Sequence, residues 1–141
     1  METTFFWDDQ FQIVRGTISG SASGPIFHNN LIAFLTSGAC PPNAAVLLNL
    51  HALDFSSLTP DHVAKLAEMR VETAAMRQGS CTELLVHGQM EILLATYLRE
   101  RLAQSGPPIE IFTKEAEALA WIHANRAAAI RAMATKSNSP G

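Results

Sequence analysis

Five histidines, at positions 28, 51, 62, 87 and 123, are the side chains best suited to acid–base or metal chemistry near neutral pH. None stands at ligand spacing from another histidine, a cysteine or a carboxylate on one helix face, and neither H-E-x-x-H nor C-x-x-C occurs. Asp61 and His62 are adjacent, but neighbouring helical side chains point about 100° apart and do not share a ligand. The sequence therefore predicts no metal and no cofactor. Cys40 is followed by two prolines and has no evident base, while Cys81 opens an apolar strand, so both read as unreactive reduced thiols. Gly79-Ser80-Cys81 is not a G-x-S-x-G elbow. The glycines at 16, 20 and 24 lack the spacing and the following Lys-Ser/Thr of a phosphate loop. Glu83 is the odd residue, a carboxylate inside an apolar strand. It reads either as the strand's exposed start, the simpler view, or as a paired polar group in a pocket. With no second titratable partner and no nucleophile, the chain reads as not an enzyme.

Two places remain where chemistry could be presented. The first is the connection Ser56-Ser57-Leu58-Thr59-Pro60, where Ser56, Ser57 and Thr59 are candidate regulatory or partner-facing hydroxyls. Thr59 followed by Pro60 and Asp61 also makes an ordinary N-cap. The second is His87-Gly88-Gln89, a helix start whose unpaired amides make it a candidate anion or ligand edge.

The elements that must carry these positions are legible from pattern. Thr3 to Trp7 and Phe11 to Ser19 are β-branched and aromatic runs around Asp8-Asp9-Gln10, which predicts a hairpin. Pro25 suits a first helical turn, Phe27, Leu31, Phe34 and Leu35 form an amphipathic stripe, and Gly38 closes it. Ala45 to Leu50 is a buried strand. A helix follows from Thr59 to Gly79, with Val63, Leu66, Ala67, Val71, Ala74 and Ala75 as its buried stripe and Arg77 outside it. Cys81 to Val86 is the next strand. The following helix buries Met90, Leu94, Tyr97, Leu98 and Leu102. Ile109 to Phe112 is a short strand, and Thr113 caps a last helix that ends near Ala134. The order is β-β-α-β-α-β-α-β-α, an α/β fold whose mixed sheet starts with an antiparallel hairpin and continues parallel. One domain is expected over 1–134, with a disordered tail over 135–141.

A formal net charge of −3 with scattered basic residues gives no steering field for nucleic acid. The N-terminus lacks the basic and apolar regions of a signal peptide, and no apolar run reaches membrane-spanning length, so the expectation is cytoplasmic with no membrane span. Around Trp121 and Ile130 the last helix carries an apolar patch that could join two copies in a homodimer.

Three segments carry a resemblance: Val46-Leu47-Leu48-Asn49-Leu50-His51 with Phe55, Leu84-Leu85-Val86-His87-Gly88, and Ile111-Phe112-Thr113 running into Ala118-Leu119-Ala120-Trp121-Ile122. On these the chain resembles the SpoIIAA-like family, bacterial single-domain proteins related to the STAS fold of anti-sigma-factor antagonists and compared with the Sec14 lipid-binding fold. The resemblance implies a non-enzymatic binding or regulatory module with a protein partner. In STAS-type antagonists a serine at the start of the helix after the central strand is phosphorylated and switches partner binding. Here the aspartate-serine-serine-glycine pattern is replaced, and Thr59 stands near the acceptor position. The Sec14 comparison implies an alternative, a carrier or sensor of a small apolar, lipid-like ligand, in a cavity lined by Phe5, Trp7, Phe27 and Phe34.

Overall fold

Alternating exposed and half-buried side chains make Glu2–Asp8 (β1) an edge strand, paired antiparallel with Ile13–Ser21 (β2). Asp8 closes the turn by accepting from the backbone N–H groups of Gln10 and Phe11 at 3.0 and 3.2 Å. Phe11, predicted to open the second strand, lies instead exposed in that turn. The computed structural model describes the backbone over residues 1–137 and side-chain surroundings through Arg126.

After β2 come α1 (Gly24–Leu35), β3 (Val46–Asp54), α2 (Pro60–Thr73), β4 (Thr82–Leu85), α3 (Gln89–Leu102), β5 (Ile109–Phe112) and α4 (Glu115–Ser137). The five strands lie in chain order, and β2 to β5 are parallel. Right-handed crossovers that always step the same way place α1, α2 and α3 on one face, leaving the other to α4. This is the mixed sheet and the element order predicted from the sequence. Because both faces are covered, the central strands are apolar without alternation. Val14, Ile18, Leu48, Leu50, Leu84 and Val86 pack against the three helices, whereas Ile13, Leu47 and Leu85 pack against Ala118 and Ile122 of α4.

Gly16 stands opposite Phe5, and a Cβ there would lie 2.7 Å from the Phe5 ring and 2.8 Å from Leu48. Its bareness lets that ring cross β2 and meet Phe27 and Phe34 of α1, with centroids 6.4 and 6.0 Å away. On the opposite face Arg15 bridges Asp8, at 2.7 Å, and Glu115 at the start of α4.

Several expectations are corrected. β3 continues to Asp54, four residues beyond Leu50. α2 stops at Thr73 and tightens into a single 3₁₀ turn, Ala74–Arg77, instead of reaching Gly79. The Thr73 hydroxyl bonds back to the Met69 carbonyl at 3.1 Å, a contact that loosens a helix end. The buried stripe of α2 is Val63, Leu66 and Arg70, with the aliphatic stem of Arg70 filling a core position. Val71 and Ala75 are therefore exposed, and Arg77, expected outside, is buried by the change of pitch. α3 is the outermost helix of its layer. It buries Ala95 and Leu102 and turns Met90 and Tyr97, predicted as core, to the outside.

Thr113 stands two residues ahead of α4, which begins at Glu115 and runs to Ser137, past the predicted end near Ala134. Residues 138–141 of the predicted tail, and the Ile130 side chain, lie outside what is described. Trp121 is half-buried against Phe112, with ring centroids 6.1 Å apart. Among the described residues no helix is long and apolar enough to cross a membrane.

Candidate functional site

The starts of α2 and α3 both lie at the C-terminal edge of the parallel strands, where open α/β sheets present ligands and partners. At the first, Asp54 organises the connection. Its carboxylate accepts from the Ser56 backbone N–H at 3.0 Å and from the Ser56 hydroxyl at 2.5 Å. The Ser57 hydroxyl donates to the Asp54 carbonyl and accepts from the Ala22 backbone N–H, both at 2.6 Å, tying the end of β2 to this turn. Thr59 accepts from the His62 backbone N–H at 3.1 Å and so caps α2. Ser56 and Thr59 are exposed; Ser57 is half-buried.

At the second, Gly88 adopts φ +84°, the left-handed region that glycine occupies without strain. A side chain there would collide with the Glu91 carboxylate, which folds back over Gly88. The α3 N-terminus thus already has a negative charge beside it. His87 and Gln89 are exposed. Extending the β3–β4 register, in which Asn49 faces Leu85, brings His51 beside His87. The two imidazoles lie against each other with centroids 3.8 Å apart and planes tilted by 37°. Slight burial, then the charge of His87, holds the His51 pKa below its ordinary value. Sequence reading treated these histidines singly, because only the pairing of two strands distant in sequence joins them. The described residues contain no cluster of three His, Cys, Asp or Glu side chains that could hold a metal ion.

From this edge α3 exposes Met90 (62 %), Leu93 (65 %) and Tyr97 (40 %) at i, i+3 and i+7, one continuous stripe. Arg101 lies over the Tyr97 ring, 5.3 Å from its centroid, at the far end. α1 and α2 each expose a single large aliphatic side chain, Ile26 and Val71.

Two hollows complete the surface. A cavity of about 80 Å³ lies between the sheet and the three helices, with Phe27 on its wall. Of the other aromatics expected to line a ligand cavity, Phe5 and Phe34 pack against each other and Trp7 faces a different hollow. The cavity is about half the roughly 150 Å³ that accommodates one benzene, so a lipid-sized chain would require the helices to move. The second hollow is an open groove of about 1000 Å³ at the N-terminal ends of β3, β4 and β5.

On the α4 face, Glu83 corrects the reading of an exposed strand start: it is fully buried. Its register neighbours are Leu47 and Glu110. One carboxyl oxygen lies 4.0 Å from the Cys81 sulfur, and the other has no partner among the described residues. Burial, then the neighbouring Glu110 carboxylate, pushes the Glu83 pKa up to about 8. Cys81 is pushed up to about 11, first by burial and then by Glu83, so its thiol stays protonated and unreactive at neutral pH.

Comparison of the chain with protein-family profiles, with curated proteins and with solved structures returns no match.

Proposed function

We propose that this chain is a non-enzymatic binding module of the cytoplasm, of the regulatory kind implied by its likeness to SpoIIAA-like proteins. Its partner, on this reading, is a protein that covers the outer face of α3. The observation carrying the proposal is the Met90–Leu93–Tyr97 stripe beside His87, since helices seldom leave three large apolar residues in line without a use for them. The occupant is a protein surface apolar at its centre and of mixed charge at its rim, facing the acidic side chains of α2 on one side and Arg101 at the far end of the stripe. α2, which packs against α3, exposes Asp61, Glu68 and Glu72 on its outer side, and its Lys65 is engaged by Glu68 at 3.5 Å.

The test is a partner recovered with the wild-type chain and then reconstituted from purified components. Leu93→Asp should weaken that complex at least about tenfold. Its melting temperature should stay within about 2 °C of wild type, because the residue is exposed. Unchanged affinity would remove the α3 surface from the account. Thr59→Glu, which adds charge at the edge, should weaken binding if the module is switched there. No effect would leave Thr59 as a cap alone.

A further inference from the structure

Arg70 and Arg77 are 7 % and 4 % exposed, and no carboxylate among the described residues forms an ion pair with either. Their partners are neutral. Arg70 donates to the Ser105 hydroxyl at 3.0 Å and the Pro107 carbonyl at 2.7 Å. Arg77 donates to the hydroxyls of Thr82 and Ser80, both at 3.1 Å, and to the Cys81 carbonyl at 3.5 Å. The Arg77 Nε is buried with no partner among the described residues. Buried ions are ordinarily paired, and two uncompensated cations in one layer add repulsion to lost hydration. Burial lowers both guanidinium pKa values to about 10, which leaves both charged at neutral pH.

Both arginines line the 80 Å³ cavity, together with His28, His62, Thr73 and Thr82. The His62 Nδ1 is another buried polar atom without a partner among the described residues. His28 lies 3.2 Å from the Thr73 hydroxyl, and burial, then the two arginines, hold its pKa below the ordinary value. No Asp or Glu lines the cavity or the adjoining groove, although the chain has 13 acidic residues. The polarity runs along the strands. Thr82 sits at the arginine end, and Leu84 with its register partner Leu48 forms hydrocarbon wall one step further on. Arg77 and Pro107 line both the cavity and the 1000 Å³ groove, so Arg77 stands at the partition a small solute would pass.

The dimensions narrow the ligand. Half the volume of a benzene site holds about three or four non-hydrogen atoms. With the Arg70 Nε and Nη2 and both Arg77 Nη atoms donating to neutral partners, the orphan Arg77 Nε–H is the free donor, and a small carboxylate can accept from it through one oxygen while its charge answers both guanidiniums. A hydrocarbon wall also disfavours a strongly hydrated dianion. We propose that Arg70 and Arg77 hold a small planar oxyanion of the carboxylate class, formate or acetate in size, in the cavity beneath α1, α2 and α3, reached from the groove past Arg77.

Thermal unfolding of the full chain in sodium formate and sodium acetate, at constant ionic strength, tests this. The expected result is a rise in Tm that sets in near Kd and then grows with the logarithm of concentration, about 5 °C for each tenfold excess above Kd. It should be absent in Arg77→Met and in Arg70→Met. No rise in wild type, or an equal rise in both variants, overturns the proposal. A larger rise with chloride or with phosphate than with formate overturns the assigned ligand class. If neither variant folds, line broadening of ¹³C-formate by the wild-type chain, relieved by excess acetate, supports the site; unbroadened formate overturns it.

Discussion

The two faces of the sheet bury ionisable groups without counter-ions in opposite ways. Beneath α4 one carboxyl is fully buried, that of Glu83, beside Leu47, the half-buried Glu110 and the apolar cluster of Leu85, Ala118 and Ile122, with one oxygen unpaired among the described residues. Beneath the three helices two guanidiniums share a cavity wall. A carboxyl in this position can accept a proton and bury a neutral acid, and a pKa of about 8 says that Glu83 does so at neutral pH. A guanidinium has no such recourse, since even at about 10 its pKa keeps the charge in place. One face therefore compensates internally, whereas the other is left seeking negative charge from outside.

The contrast can be sharpened by removing each charge in turn. The larger effect is expected at Glu83. Its folded pKa lies above the ordinary carboxylate value, so the stability it permits is complete below that range, is lost as pH rises toward about 8, and is level above. The slope is ~1.4 kcal/mol per pH unit. Glu83→Gln should thus match wild type near pH 4 and exceed it by several kcal/mol at pH 8.5, or about 10 °C in Tm. Chemical denaturation at the two pH values measures it. Parallel curves at both would break the comparison.

The smaller effect belongs to Arg77→Met, measured without added carboxylate. Replacing an uncompensated buried cation with an apolar side chain of similar length should raise stability by about 1–3 kcal/mol. Below pH 7 the gain should grow, because Arg77 also helps to hold the His28 pKa down; from pH 7 to pH 9 it should be level, because the wild-type charge does not change there. A gain that varied with pH across that interval would show that the charge on this face is not fixed.

These two faces also mark how far sequence reading reaches. The order of elements along the chain, the hairpin and the Thr59 cap were legible because they depend on local chemistry: apolar runs between turn residues, Pro60 after a hydroxyl, Asp61 in a first turn. Glu83 was visible as an anomaly, but its burial depends on α4 closing over a strand of only four residues. Arg70 falls in phase with Val63 and Leu66 on the buried stripe, yet an arginine there reads as solvated until the partners at Ser105 and Pro107 are known. Arg77 was misread because helical period was carried through a 3₁₀ turn. Met90 and Tyr97 were misplaced for a different reason: the period was right, but which stripe is covered depends on neighbours that an outermost helix lacks on one side. The His51–His87 contact follows from strand register and from nothing local.

The contrast between the faces rests on one carboxyl that gives up its charge, and a direct titration reads that carboxyl. With the side-chain carboxyl carbons of glutamate labelled with ¹³C and Glu83 assigned by comparison with Glu83→Gln, its shift should move with a midpoint near pH 8. A midpoint below pH 5 would mean that Glu83 is ionised inside the fold at neutral pH, and the account of two differently compensated faces would fail.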